Sequence, residues 1–291
     1  MARVRLFIRG GVDLATVLGM GQTFLWRPGR GGFFGTIQGR AVFLRQVDTE
    51  TLEASASLPP EELSALVSRY FDAERDLEEV RRLLSEDPHC RRAVERFSGL
   101  RVLRQPFWEC LAGFLLSSAN NVRRIHRIVR KLAERYGEVQ PVEGELQAVF
   151  PPPERLVDIP LEALYDCGTG FRARGLREAA RRVASGEWDG DVLARLSEEE
   201  ARARLMSGYG IGEKIADCVL LYALGFLEVF PLDVWMRRVL KELYFPDGRL
   251  PRRAERARWV RRRFPGVGGY AQLYLYHAAR HGVLLDRAKL V

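Results

Sequence analysis

The spacing of hydrophobic and polar residues divides this 291-residue chain into a β-rich beginning and a longer helical remainder. Up to about residue 58, the chain contains short runs in which polar and apolar residues alternate. Residues 32–46 hold two such runs, separated by Gln38 and Gly39, and this pattern predicts a β-hairpin. The beginning of the chain is therefore predicted to form an antiparallel sheet.

After residue 58, almost every segment has the spacing of apolar positions that indicates a helix. The first predicted helix begins at Leu58-Pro-Pro-Glu-Glu, because proline and acidic residues are favoured in a first helical turn. The proline-containing residues 137–154 are predicted to be a linker. The predicted helices cover approximately residues 61–71, 75–85, 90–97, 106–118, 121–136, 161–165, 172–185, 197–207, 212–225, 233–243, 252–263 and 268–282.

Composition adds a basic surplus to this picture. The chain has 46 Lys+Arg against 38 Asp+Glu, a formal net charge of +8 and a pI near 9.6. Such a surplus favours a polyanionic partner, because binding phosphates releases counterions. A basic protein without such a partner explains the charge about equally well.

Cysteine usage and hydropathy exclude other classes. The four cysteines are scattered without a C-x-x-C motif, which argues against a zinc or iron–sulfur site and against a disulfide framework. We therefore expect no metal and no cofactor. No apolar run reaches the roughly 18–20 residues that span a bilayer, and the start of the chain lacks the apolar stretch of a signal peptide. The expected protein is intracellular and has no membrane partner.

A glycine-rich segment carries the first candidate chemistry. Gly208, Gly210 and Gly212 follow a predicted helix over 197–207 and allow a tight turn with an uncovered backbone. Amides at the start of the next helix then face a phosphate oxygen, aided by the helix dipole. This is how a helix–hairpin–helix element holds a DNA backbone without reading its sequence. The alternative is a plain turn between two helices.

Lys214 lies at the start of the helix that follows these glycines. That helix is almost entirely apolar, which indicates burial and places the lysine near a desolvated region. Desolvation lowers a lysine pKa and frees the neutral amine as a nucleophile. The alternative is an exposed lysine paired with Asp217 at i+3.

Asp233 lies nineteen residues after Lys214 and precedes another predicted helix. Its structural role is that of a helix N-cap, worth roughly 1 kcal/mol. Its functional role is that of a carboxylate facing the reacting centre opposite Lys214. Both roles are compatible, because capping fixes the carboxylate in place.

Together these residues resemble the helix–hairpin–helix DNA glycosylase superfamily, and most closely its 8-oxoguanine DNA glycosylase/AP lyase branch. The similarity extends from about residue 5 to residue 282. It implies an α+β fold, with an N-terminal antiparallel sheet domain and a mostly α-helical body that contains the helix–hairpin–helix element. The expected domains are residues 1–98 and 99–291, the second with two helical subdomains and the active site between them. The motifs that carry the similarity, besides the hairpin and Pro231-Leu-Asp233, are residues 21–26, 101–111, 117–125, 168–174 and 270–272.

The resemblance implies a mechanism as well as a fold. Such enzymes flip a damaged base out of duplex DNA. Lys214 would attack C1′ of the sugar, displace the oxidised purine and form a Schiff base that permits β-elimination. Asp233 would stabilise the positive charge that develops on the sugar. The implied partner is double-stranded DNA that contains an oxidised purine, the expected protein is a monomer, and a prokaryotic host would place it in the cytoplasm with the nucleoid.

The resemblance also assigns a base pocket. Gly21 corresponds to a glycine whose carbonyl accepts the N7–H that 8-oxoguanine has and guanine lacks. Gln272 has the amide donor and acceptor suited to a purine Watson–Crick edge. Cys218 and Tyr276, each one turn after a site residue, would sandwich the base. Without the resemblance, ordinary helix packing explains Gln272, Cys218 and Tyr276.

A further set of residues is implied at the opposite strand. Arg124 and Arg172 would contact the cytosine left without its partner, Phe171 would act as an aromatic wedge, and Asn120 belongs to the same group. A phosphate-binding or solvated arginine is the simpler alternative. The chain departs from the family at Ala119, where an asparagine is common, at Trp235, where some members have histidine, at Phe171, which replaces a tyrosine, and at Tyr276, which replaces a phenylalanine.

Two other functions compete with this one. A monofunctional glycosylase for alkylated bases shares the fold and the aspartate but lacks the nucleophilic lysine, so Lys214 argues against it. A non-catalytic helix–hairpin–helix module explains the charge and the glycines but not the combination of Lys214, Asp233 and Gln272. Adenine-mismatch and oxidised-pyrimidine enzymes usually have four cysteines after the aspartate, whereas the last cysteine here is Cys218.

Overall fold

A computed structural model describes residues 1–285, and it begins with a five-stranded antiparallel sheet in the order β1-β5-β4-β3-β2. The turn between β3 and β4 is the predicted one, with φ of 53° at Gln38 and 68° at Gly39. Two consecutive positive φ angles match the twist of the flanking strands, and this explains the signal in the sequence. The strands are β1 Ala2–Phe7, β2 Arg27–Gly29, β3 Gly32–Ile37, β4 Arg40–Gln46 and β5 Thr51–Ala56.

The rest of the described chain is mostly helical, which confirms the predicted fold class. The helices that the sequence did not predict, α1, α7 and α10, have six, five and four residues, too few for a periodic pattern to emerge. A π-helical turn, Leu240–Tyr244, continues α13. The helices are α1 Leu14–Gly19, α2 Pro60–Phe71, α3 Leu77–Leu84, α4 Pro88–Arg96, α5 Phe107–Leu116, α6 Val122–Tyr136, α7 Pro153–Val157, α8 Leu161–Asp166, α9 Arg172–Ala184, α10 Gly190–Leu193, α11 Glu198–Met206, α12 Glu213–Tyr222, α13 Val234–Val239, α14 Arg253–Arg263 and α15 Gly268–Arg280.

The predicted linker over residues 137–154 is wrong for most of its length. It contains two paired strands, β6 Val139–Val142 and β7 Glu145–Ala148. Gln140 joins this pair to the first sheet, since its Oε1 accepts the Ala41 N–H at 2.9 Å and its Nε2 donates to the Gly39 carbonyl at 3.1 Å. Each of these strands has only four residues and β6 contains Pro141, so the sequence shows no clear alternation of polar and apolar positions. A proline is nevertheless tolerated in an edge strand.

Three apolar clusters form the interior of the described chain. The smallest joins the five-stranded sheet to Val142 and Val149. A second cluster lies between the five-stranded sheet and α2. The largest one joins the helical body, and it also includes buried residues of α3 and α4, such as Leu84 and Cys90, which precede the expected boundary at residues 98 and 99. The division into domains 1–98 and 99–291 stays a prediction, and residues 286–291 lie outside the described part.

Glu109 connects the sheet to the helical body. It lies in the first turn of α5 and is buried, and its Oε1 accepts the Gly39 N–H at 2.8 Å. Its Oε2 has no hydrogen-bond partner among the described residues. Burial raises the pKa of this carboxyl to about 7, although the backbone N–H groups of Gly39 and Gln38 oppose the shift.

This environment predicts a pH-dependent stability. Because the folded state binds the Glu109 proton more tightly than the unfolded state does, this group's contribution to stability falls as the pH rises from about 5 to 8. Over that pH range, we expect the unfolding free energy of the wild-type protein to fall by roughly 2–3 kcal/mol more than that of Glu109→Gln. Denaturant unfolding at both pH values measures the difference. The exposed Glu95→Gln is the control, and equal losses in all three proteins would contradict the assignment.

Candidate active site

The first turn of α12 brings Lys214 against the end of α5. Its Nζ donates a hydrogen bond to the Ser117 Oγ at 2.9 Å and lies 5.2 Å from the centre of the Phe114 ring. The following residues of α12, from Ile215 to Tyr222, are all buried, as the apolar pattern predicts. Lys214 itself is half-buried. The amine thus lies at the edge of an apolar region with one defined polar partner.

The alternative pairing of Lys214 with Asp217 is wrong. Asp217 is buried and accepts from the Arg202 Nε at 2.7 Å, so it turns away toward α11. Burial raises the pKa of Asp217 to about 6, although Arg202 opposes the shift. Arg202 also donates to Glu198 at 2.7 Å. This ion-pair cluster fixes α11 against α12 and leaves Lys214 available.

Ser117 can only accept a hydrogen bond from the lysine. Its Oγ lies 2.6 Å from the Phe114 carbonyl oxygen, which takes the single hydroxyl proton. The remaining lone pairs of the Oγ then face the amine of Lys214. The sequence contained Ser117 within a motif but did not indicate this role, because the two residues are 97 positions apart.

Asp233 has the predicted capping role. It is the N-cap of α13, and its Oδ1 accepts the Met236 N–H at 2.8 Å. Burial raises the pKa of its carboxyl, while Met236, Lys214 and Arg280 act in the opposite direction. Among the described residues, no ion pair within 4.0 Å joins Asp233 to Lys214. The carboxylate is therefore held by the backbone and close enough to interact with the amine electrostatically.

The glycine hairpin between α11 and α12 is present, and its three glycines differ in backbone conformation and in the space around them. A side chain at Gly208 would come within 2.4 Å of the Trp188 ring, so close packing excludes one. Gly210 has a φ of 80°, which favours glycine. Gly212 is the exposed N-cap of α12 and has open space around it. The first amides of α12 follow directly, as an anion-binding helix start requires.

The residues assigned to the base pocket surround the same region. Cys218 is buried, and burial raises the pKa of its thiol to about 12, so the thiol is neutral near pH 7. Gln272 is buried on α15, with its Oε1 at 3.5 Å from the Tyr222 hydroxyl. Burial raises the pKa of Tyr276, and both Asp233 and Cys218 add to the shift. Cys218 and Asp233 interact electrostatically with Lys214, and Tyr276 interacts with both of them, while Gln272 contacts this group through Tyr222.

Gly21 lies in a loop that approaches the start of α6. It has a φ of 102°, and a Cβ there would lie 2.9 Å from the Val122 Cγ2. The neighbouring Gln22 is buried and holds the loop, since its Oε1 accepts the Leu103 N–H at 3.0 Å and its Nε2 donates to the Arg101 carbonyl at 2.9 Å. Gln22 lies within the motif at residues 21–26, but the sequence did not indicate this structural role.

The side chains assigned to the opposite strand fall into two groups. Phe171 is 65% exposed and Arg124 is exposed, as contact with DNA requires. Arg172 is buried beside the Phe171 ring at 4.3 Å, and its guanidinium donates to the Ser118 and Ala119 carbonyls of the loop between α5 and α6. The contact of Arg172 with cytosine stays a prediction, and the guanidinium N–H groups would then have to serve both the cytosine and the two loop carbonyls.

Asn120 lies in that loop as well. Its Nδ2 donates to the Leu116 carbonyl at 3.0 Å, and its Oδ1 accepts the Asn121 N–H at 3.0 Å. The side chain thus shapes the turn that ends α5, and a role in contacting the opposite strand stays a prediction. Residues 1–285 contain no group of three or more His, Cys, Asp or Glu side chains placed to hold a metal, and no helix long and apolar enough to cross a membrane.

Comparison with known proteins identifies the family of the chain. Residues 112–263 match the HhH-GPD superfamily of base excision DNA repair proteins, and the chain belongs to that superfamily. Residues 6–111 match the N-terminal domain of 8-oxoguanine DNA glycosylase, which places the chain in that branch. A probable N-glycosylase/DNA lyase of Methanothermobacter thermautotrophicus is 30% identical over 253 residues, 80% of this chain and 80% of that protein.

Solved structures show the same relationship. The structure of MBOgg1 in complex with a low-affinity DNA ligand is 31% identical, with a TM-score of 0.89 over 97% of this chain and 96% of that one. The 8-oxoguanine glycosylase/lyase of Clostridium acetobutylicum, in complex with double-stranded DNA that contains cytosine opposite 8-oxoguanine, is 27% identical. Its TM-score is 0.84, over 93% of this chain and 92% of that one.

The hairpin geometry leads to a prediction with a matched control. Gly208→Ala should lower the unfolding free energy by about 2 kcal/mol, because the added methyl group overlaps the Trp188 ring. Gly212→Ala, in the same hairpin, should cost less than about 1 kcal/mol, since its side chain points into open space. Denaturant unfolding measures both. Equal effects of the two substitutions would contradict the packing described.

Proposed function

We propose that this protein is a bifunctional DNA glycosylase/AP lyase that flips 8-oxoguanine out of duplex DNA and excises it. The observation that carries the proposal is the position of the Lys214 amine, which lies in the first turn of the helix that follows the hairpin, is held by Ser117 and is close enough to Asp233 to interact with it electrostatically. A nucleophile, a carboxylate and a backbone-binding hairpin on one scaffold are what this reaction needs.

The reaction begins with the neutral amine of Lys214. Its Nζ bonds to C1′ of the flipped nucleotide as the bond from C1′ to N9 of the purine breaks, and the base leaves with the bonding electrons. The attached amine gives a proton to the departing purine. The bond from C1′ to the ring oxygen then breaks, that oxygen takes up a proton from water, and a protonated imine links Nζ to C1′. Loss of a C2′ proton then expels the 3′ phosphate by β-elimination. Lys214 thus performs both the glycosylase and the lyase step.

Asp233 acts through its charge. The sugar becomes cationic as the purine leaves, and a carboxylate fixed by the Met236 N–H stabilises that cation without having to reorganise. Burial makes the carboxylate less hydrated, which strengthens its interaction with a nearby positive charge.

Base recognition is assigned to the pocket beside the lysine. The Gly21 carbonyl accepts the N7–H of 8-oxoguanine, and the Gln272 amide pairs with the Watson–Crick edge. The neutral Cys218 thiol and the Tyr276 ring cover the two faces of the base. The assignments of Cys218 and Tyr276 are supported by their electrostatic coupling to each other and to the charged groups Lys214 and Asp233. The assignment of Gln272 is supported by its contact with Tyr222, and that of Gly21 by the resemblance alone.

DNA is held by the hairpin and by the opposite-strand group. The first amides of α12 beyond Gly212 bind a phosphate of the lesion strand. Phe171 inserts at the base step, and Arg124 and Arg172 contact the unpaired cytosine, with Asn120 supporting the loop between them. We propose that the protein acts as a monomer on DNA inside the cell, with domains 1–98 and 99–291.

Borohydride trapping tests the proposal. Incubation with duplexes that contain 8-oxoguanine opposite each normal base should yield a covalent complex with the wild-type protein, because borohydride reduces the imine to a stable amine. Lys214→Gln should abolish that complex, since an amide cannot form an imine. Gel electrophoresis of labelled duplex measures both.

Four results would overturn parts of this assignment. Absence of a complex with any 8-oxoguanine duplex would remove the lysine mechanism, as would a complex that persists in Lys214→Gln. Excision that releases the base and leaves an intact abasic strand would indicate a monofunctional enzyme. Excision undiminished in Asp233→Asn would remove that residue from its role.

The Ser117 contact generates a further prediction. Ser117→Ala should lower the single-turnover rate of excision roughly tenfold, because the amine loses the partner that orients it. Ser117→Thr keeps the hydroxyl and should retain most of the rate. Ser118→Ala is the matched control, since Ser118 contributes its carbonyl to Arg172 rather than its side chain. A Ser117→Ala rate equal to that of wild type would contradict the orienting role.

A further inference from the structure

Arg280, the last residue of α15, contacts two different sides of the proposed base pocket. Its Nη1 donates to the Tyr276 hydroxyl at 3.0 Å and to the Met20 carbonyl at 3.3 Å. Its guanidinium carbon also lies 5.4 Å from the centre of the Tyr276 ring. One side chain thus joins the ring assigned to one face of the base to the backbone that immediately precedes Gly21.

The Gly21 loop is already held on its other side. Gln22 Nε2 donates to the Arg101 carbonyl, and the Gln22 carbonyl accepts from the Gln105 Nε2 at 2.7 Å. Arg280 supplies the hydrogen bond on the Met20 side. The peptide groups around Gly21 are thereby fixed from both directions, and the Val122 side chain leaves no room for a Cβ at Gly21.

The contact depends on the hydroxyl group of Tyr276. Tyr276 has a hydroxyl where the family resemblance expects phenylalanine, and that hydroxyl is what accepts the Arg280 hydrogen bond. Among residues 1–285, a phenylalanine at position 276 would leave the Met20 carbonyl as the remaining hydrogen-bond acceptor of the guanidinium. Tyr276 and Arg280 are one helical turn apart on α15, so the pair is set by the helix itself.

We propose that Arg280 is a specificity-determining positioning residue that sets the distance between the Gly21 carbonyl and the Tyr276 ring. This proposal rests on the assigned function, because the distance matters only if a purine lies between the two groups. A carbonyl displaced by a fraction of an ångström weakens the one hydrogen bond that separates 8-oxoguanine from guanine. Arg280 has no direct contact with the base in this account.

Binding in a Lys214→Gln background isolates this role from the chemistry. Two duplexes are compared, one with a tetrahydrofuran abasic analogue and one with 8-oxoguanine, each opposite cytosine. The dissociation constant for the abasic duplex divided by that for the 8-oxoguanine duplex reports base recognition alone. Arg280→Met should reduce that ratio about tenfold and leave affinity for the abasic duplex within about twofold. Tyr276→Phe should reduce the ratio by less than Arg280→Met does. Arg280→Lys keeps the charge and a donor, so its ratio should lie between those of Arg280→Met and the wild-type residue.

Arg40→Met is the matched control, because Arg40 is an exposed arginine on the sheet, and the same charge is removed. An unchanged ratio in Arg280→Met would overturn the proposal. Equal losses of affinity for both duplexes would also overturn it, since they would indicate a general structural effect.

Hydrogen exchange separates this inference from the assigned function. In the absence of DNA, Arg280→Met should speed amide exchange over residues 20–22 relative to wild type and to Arg40→Met, because the Met20 carbonyl loses its partner. Unchanged exchange would contradict the positioning role even if the enzyme excises 8-oxoguanine. Faster exchange in a protein that does not discriminate 8-oxoguanine would instead refute the assigned substrate and, with it, the specificity role.

Discussion

The packing of the start of α12 against the end of α5 is the constraint on which the rest of the site depends. Lys214 must extend from a helix start that remains open to DNA, and its amine must still reach the Ser117 hydroxyl. The same few residues therefore supply the hairpin, the first backbone amides of α12 and the amine that we propose as the nucleophile. In the proposed mechanism, this covalent spacing would fix the distance from the amides that bind phosphate to the amine that attacks the sugar.

The ion pair between Arg202 and Asp217 maintains this arrangement from the other side of α12. Burying two charges is costly, and a buried pair is tolerated only when its hydrogen bonds are satisfied. Arg202 meets this condition through Asp217 and Glu198, and Glu198 in turn accepts from Arg261 of α14 at 2.7 Å. The pair thus orients α12 by joining three helices, and it also explains why Asp217 does not compete for Lys214.

Local patterns predicted much of this molecule. The glycines of the hairpin, the Gln38-Gly39 turn and the longer helices all have signals within a few residues, and the structure contains them. Elements such as α1 and the β6–β7 pair are too short to show a repeating pattern of apolar residues. The most consequential omissions were long-range contacts: Ser117 to Lys214 spans 97 positions, and Arg280 to Met20 spans 260. Spacing along a chain reports which face a side chain occupies, but it cannot report which distant side chain lies opposite.

The most direct test of the account is to identify the residue that becomes bonded to DNA. The sequence has only four lysines, Lys131, Lys214, Lys241 and Lys289, so the site can be assigned without ambiguity. Peptide mass mapping of the borohydride-reduced adduct formed on an 8-oxoguanine duplex should find the sugar remnant on the peptide that contains Lys214. A remnant on any other lysine, or on the terminal amine, would contradict the central claim that the hairpin helix presents the nucleophile.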